Sequence, residues 1–135
     1  MAYLLDTNVL LDILTDDPEW ADWSQKQLIR ARNEGPIPLN PILYAELAAH
    51  FESAAEVDHF LRPGIFKRLP LPYEAGFRAS RAFLAYRRAG GSKTSPLPDF
   101  YIGAHAEHAG FTLVTRDVAR YRTYFPKVKL VVPRR

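Results

Sequence analysis

Short apolar runs alternate along this chain with longer stretches in which apolar positions recur every three or four residues. Met1–Leu5 is apolar throughout and stops at Asp6, the mark of a strand buried on both faces. Thr7 or Asn8 then stands where a helix cap is wanted, ahead of Val9, Leu10, Ile13 and Leu14. Pro18 opens a second helix, with Trp20, Trp23, Gln27 and Ile29 in reach of one another, ending near Gly35. Ile37–Asn40 is a short strand between prolines. Pro41 suits the first position of a helix that continues from Ile42 to Phe51, and Ala54–Leu61 is another, stopped by Pro63-Gly64. Ile65–Leu71 is strand-like. Tyr73–Ala89 is the longest helical stretch: at about 100° per residue, Tyr73, Gly76, Phe77, Phe83 and Leu84 share one arc. Arg78, Arg81 and Arg88 lie beside that arc, and Arg87 falls within it and must snorkel. Gly90–Thr94 is a flexible loop, and Ser95-Pro96 caps and opens a helix that ends at Gly110. Phe111–Thr115 is a strand, Arg116–Phe125 a loop with a short helix, and Val128–Val132 a final strand.

Apolar strands without polar alternation, separated by helices, predict a mainly parallel, about five-stranded sheet covered on both sides: a three-layer α/β/α sandwich. The 135 residues suffice for one domain, 1–135, with a core that needs no staples. No repeat and no Ser/Gly linker divides it. The absence of cysteine excludes disulfide scaffolds, thiolate metal sites and cysteine nucleophiles. No apolar run is long enough to cross a bilayer, and the amino terminus lacks the basic lead of a secretory signal. A cytoplasmic protein is expected.

The net charge of +3 hides an asymmetry. Residues 1–61 sum to −8, 62–93 to +7, 94–115 to −2 and 116–135 to +6. Two basic blocks suit a polyanion or an acidic partner, although charge runs are also ordinary solvated faces.

Ligands of such sheets sit outside the carboxyl ends of the strands, and that rule selects which acids matter. Asp6 closes the first strand, and Asp117 lies two residues beyond Leu113–Thr115. Glu46 is the only charge between Gly35 and His50, and Asp99 the only one between Lys93 and Glu107. No Lys or Arg nearby in sequence answers either; a cation would. Each acid has an ordinary alternative: a cap for Asp6, a water-facing side chain for Glu46, a helix-dipole charge for Asp99, a turn for Asp117. Together they form an all-oxygen donor set that suits Mg²⁺ or Mn²⁺ rather than zinc. Clustered carboxylates holding one or two such ions hydrolyse phosphodiesters by activating water and stabilising the leaving oxygen. The basic blocks would supply a rim for the rest of the polyanion.

Four segments resemble the motifs of PIN-domain ribonucleases, in order and at fitting separations. They are Leu4-Leu5-Asp6-Thr7-Asn8-Val9-Leu10, Tyr44-Ala45-Glu46-Leu47, Pro98-Asp99 with Ile102-Gly103-Ala104, and Leu113-Val114-Thr115-Arg116-Asp117. Pro126–Pro133 resembles the family's closing strand. Members of this size are most often toxins of VapBC-type toxin–antitoxin modules. The resemblance implies Mg²⁺- or Mn²⁺-dependent cleavage of RNA, homodimers and a VapB-like antitoxin. It makes Asp6, Glu46, Asp99 and Asp117 metal ligands, lets Thr115 help place water or metal, and gives Asn8 a supporting or capping role. One departure stands out: many relatives carry a further acid before an aromatic beyond the fourth motif, where this chain has Arg120-Tyr121. A one-ion site is therefore compatible with the pattern. The antitoxin would block an acidic groove ringed by Arg with an amphipathic helix bearing its own Arg. Trp20–Ile29 and Ala54–Leu61 are candidate dimer faces.

Other chemistries fall away. Gly90-Gly91-Ser92-Lys93-Thr94 breaks the order of a phosphate loop and follows a helix where a strand is needed. No Gly-x-Ser-x-Gly elbow exists. His105 and His108 lack a third ligand and read as a surface pair, and Trp20 and Trp23 as packing rather than a base-stacking platform. Asn8 stands where an aspartate-nucleophile phosphatase needs its second acid. Two alternatives to the nuclease persist: a non-catalytic nucleic-acid-binding module with a degenerate acidic site, and a small-molecule phosphohydrolase.

Overall fold

The computed structural model describes residues 2–93 and 97–134. Within these residues, five strands, parallel wherever they pair, are interspersed with seven helices. They are β1 (Tyr3–Leu5), α1 (Thr7–Leu14), α2 (Ala21–Glu34), β2 (Ile37–Leu39), α3 (Pro41–Ala48), α4 (Ala54–Phe60), β3 (Phe66–Arg68), α5 (Tyr73–Arg88), α6 (Pro98–Ala109), β4 (Thr112–Val114), α7 (Val118–Tyr124) and β5 (Leu130–Val131). The strands are shorter than their apolar runs, and the proposed Ser95-Pro96 cap lies outside the described residues.

β1 pairs with β4 and β4 with β5, while β2 pairs with β3. β2 also lies against β1, giving the order β3, β2, β1, β4, β5. No ladder joins β1 to β2, and Pro38 supplies the reason. Ile37 donates to the Ile65 carbonyl and Leu39 accepts from Leu69, so both turn their polar groups toward β3. The residue between them faces β1, and as a proline it has no N–H to give. The chain steps from β1 outward to β3, then returns across the sheet to β4 and β5. With right-handed crossovers, that reversal sends α1–α4 to one face and α5–α7 to the other. The direction of winding changes between β1 and β4.

The core is built from Leu4, Leu5, Leu113 and Val114 on the central strands, with Leu10, Leu43, Leu47, Phe100, Ile102, Tyr121 and Phe125 closing over them. α5 corrects the sequence reading. Of its supposed apolar arc, Tyr73, Phe77 and Leu84 face outward, Tyr73 97% and Phe77 61% exposed, and Phe83 alone of the bulky side chains turns inward. The inward face is instead Ala75, Ala79 and Ala82, with Phe83 and Tyr86 partly buried. Small alanines let α5 lie close against α6, and close packing outweighs the burial of bulkier side chains on the other side.

Candidate active site

Asp6 is the first residue past β1, and it caps α1 itself: its Oδ1 accepts from the Thr7 N–H at 2.8 Å. Neither Thr7 nor Asn8 is the cap, because the extended backbone of Asp6 already turns its carboxylate over the open end of the helix. The Asp6 side chain is otherwise enclosed. Its Oδ2 accepts from the Thr115 hydroxyl at 2.7 Å, from the Tyr121 hydroxyl at 3.1 Å and, more weakly, from the Asn8 amide at 3.4 Å. Burial raises its carboxyl from 3.8 to about 6; Asp99 pushes the same way, and the hydrogen bonds from Thr115, Thr7 and Tyr121 work against both.

Asp99 occupies the first turn of α6, where the helix dipole favours a carboxylate. Its carboxyl is nevertheless raised, first by burial, then by Asp117 and Glu46, with Arg120 opposing. The Arg120 Nε stands 3.6 Å from Asp99 Oδ2. Glu46, half-buried on α3, accepts from the Thr7 hydroxyl, so consecutive residues at the start of α1 hold two of the acids. Asp117 heads α7, its N–H donating to the Thr115 Oγ1 at 3.0 Å. Thr115 is wholly buried, and its hydroxyl is shared between Asp6 and the Asp117 backbone.

The four sequence-selected acids thus come from four segments and share one electrostatic neighbourhood at the switch between β1 and β4. They do not form a finished cage: among the described residues no group of three or more acids or histidines lies at the spacing that would enclose an ion. Asp6 and Glu46 are held instead by proton donors and Asp99 faces a guanidinium, while Asp117 is placed through its backbone N–H. Hard oxygen donors, with the Asp6 and Asp99 carboxyls raised by burial and by neighbouring acids and Arg120 opposing at Asp99, fit a hard divalent cation in chemistry, and closing on one would require the carboxylates to turn.

Several supporting residues escaped the sequence reading. Tyr121 is buried beside the acids, and burial together with Asp6 and Asp99 pushes its hydroxyl well above 10, so it remains a donor. Asp12 is buried on α1, accepts from the Ser24 hydroxyl at 2.7 Å and takes both Nε and Nη2 of Arg116 at 2.9 Å. That pair ties the Thr115–Asp117 segment to α1, and the Asn8 side-chain Oδ1 accepts from the Arg116 N–H at 3.4 Å. The Arg116 guanidinium also lies 5.0 Å from the centre of the Trp20 ring, itself edge-on to Trp23, which packs against the core. His105 contradicts the surface reading. It is 2% exposed and meets the Asn40 amide at 3.0 Å, while Asn40 Oδ1 caps α3 by accepting from Leu43 N–H at 2.9 Å. This contact joins the two helices that carry Glu46 and Asp99. Burial lowers the His105 pKa, which keeps the ring neutral.

A parallel sheet with a cluster of acids at its topological switch point defines the class of protein. Within that class the chain belongs to the PIN domain family, whose model matches residues 3–126. Its fold matches solved toxin–antitoxin structures. One is a chain of VapBC2 from Rickettsia felis bound to a DNA fragment of its promoter, with a TM-score of 0.74, 18% identity, and 99% of this chain and 100% of that one covered. VapBC-1 from nontypeable Haemophilus influenzae gives 0.70 at 18% identity, with 98% of each covered. FitAcB from Neisseria gonorrhoeae gives 0.68 at 22%, with 95% of each covered. No curated protein sequence matches the chain.

Proposed function

We propose that this chain is a metal-dependent RNA endonuclease and the toxin of a toxin–antitoxin pair. The observation that carries the reading is Asp6, a buried carboxylate at the switch point whose ionisation is opposed both by burial and by a second acid from another helix. A divalent Mg²⁺ or Mn²⁺ held by Asp6, Glu46, Asp99 and Asp117 would supply an activated water and charge relief at the scissile phosphate. The chain's own residues prepare for it. Thr115 and Tyr121 fix the Asp6 carboxylate, Thr7 fixes Glu46, and the Arg116–Asp12 pair sets the loop that presents Asp117. Arg and Lys of the two basic blocks would track the RNA backbone.

The partner proposal rests on the neighbours, which are structures of toxin–antitoxin complexes. A VapB-like antitoxin would cover the acidic cluster, and the toxin would act as a homodimer in the cytoplasm. None of the helices among the described residues is long and apolar enough to cross a membrane.

The test is RNA cleavage by the purified protein with Mg²⁺ or Mn²⁺, with EDTA, and with Asp6→Asn. Cleavage that requires both the metal and Asp6 is expected; an Asp6→Asn protein as active as wild type refutes the assignment. A second reading, a nucleic-acid-binding module with a degenerate site, is favoured by one observation: the acids are not gathered at ligating spacing. It predicts salt-sensitive RNA binding without cleavage.

A further inference from the structure

Arg120 is a cation placed inside the acidic cluster. It lies on α7, one turn beyond Asp117, and points its Nε at Asp99 Oδ2 from 3.6 Å. Its guanidinium lies 5.5 Å from the centre of the Phe100 ring and 5.9 Å from that of Tyr86, within reach of attraction to both ring faces. Phe100 is fully buried and edge-on to the partly buried Tyr86. The Nη1 nitrogen is buried and has no hydrogen-bond partner among the described residues. A desolvated donor without a partner is unfavourable, and a guanidinium in such a place is retained only where negative charge compensates it. Asp99 stands closest; Asp117 and Glu46 reinforce the field, as their effect on Asp99 shows.

We infer that Arg120 is a resident cation of the site, occupying by charge the place of a second divalent ion, so that the cluster takes one ion and not two. The inference rests on the metal-dependent reading above and adds its stoichiometry. Carboxylate sites that hold two ions set them ~3.5–4 Å apart. A second ion shared by Asp99 and Asp117 would lie against a guanidinium that the two rings hold in place. Like-charge repulsion at that range, in a partly desolvated setting, lowers affinity by about a hundredfold or more. Arg120 faces Asp99, so an ion held chiefly by Asp6 would be spared much of it.

The experiment is calorimetric titration of the full chain with Mn²⁺, alongside electron paramagnetic resonance of the bound ion, for wild type, Arg120→Gln, Arg120→Glu and Asp6→Asn. Circular dichroism confirms folding, and the Gln variant serves if the Glu variant fails to fold. Wild type is expected to bind one Mn²⁺ with an uncoupled spectrum. Arg120→Gln should gain a second, weaker ion, and Arg120→Glu should bind two, with the broadened spectrum of a spin-coupled pair and second-ion affinity raised at least about tenfold. Two ions on wild type, or variants that titrate as wild type does, overturn the inference while leaving the nuclease reading intact. If wild type binds no Mn²⁺ and matches Asp6→Asn, the metal reading and the inference fall together.

Discussion

Asp6 should make this protein less stable than it would be without the charge. Its carboxyl is 3% exposed and ionises near 6 in the fold, against 3.8 for the ordinary group. Below about 3.8 the side chain is protonated in both states and the charge has no effect. As pH rises from 3.8 through 6, the unfolded chain releases its proton before the folded one does, and stability falls. At 1.36 kcal/mol per pKa unit, the loss reaches about 3 kcal/mol above pH 6. Asp6→Asn keeps the size and the acceptor for the Thr7 N–H, and Thr115 and Tyr121 can accept from the new amide. The variant should therefore be more stable than wild type by about 3 kcal/mol at pH 7.5 in EDTA, with the difference shrinking toward zero near pH 4. Urea denaturation at the two pH values, with unchanged m, measures it. A variant that is less stable at pH 7.5, or a difference that does not depend on pH, would refute the reasoning. Such a gain on deleting a site residue is what a functional charge held against its own solvation predicts.

Arg116→Ala should destabilise by about 3–5 kcal/mol, because it strands a buried Asp12; Asp12→Asn combined with it should recover part of the loss in the same urea assay. Gly103→Ala would drive a Cβ into the Phe125 ring, which is itself packed in the core, so the melting temperature should fall by the equivalent of about 1–3 kcal/mol. Tyr121→Phe removes one donor that eases Asp6 ionisation, worth about 1 kcal/mol, so the acid limb of the kcat/KM profile for RNA cleavage should move to higher pH. An unshifted limb would mean that Asp6 does not set it.

The sequence determined the alternation of strand and helix, because apolar runs and prolines act over a few residues. Pro41 at the start of α3 and Gly110 in the left-handed C-cap of α6 are where local chemistry places them. It also singled out Asp6, Glu46, Asp99 and Asp117, since isolated acids in apolar segments stand out without coordinates. What it left open depends on distance across the fold. The outward turn of Tyr73 and Phe77 on α5 follows from how closely alanines let two helices approach, which periodicity alone does not encode. The burial of His105 depends on Asn40, 65 positions earlier, and the pairing of Asp12 on Arg116, 104 positions later. Only the assembled fold brings Tyr121 under Asp6 and Arg120 beside Asp99. Spacing along the chain reveals which residue types are available; desolvation and charge–charge coupling, which set their chemistry, act through space and exist only once the fold has closed around them.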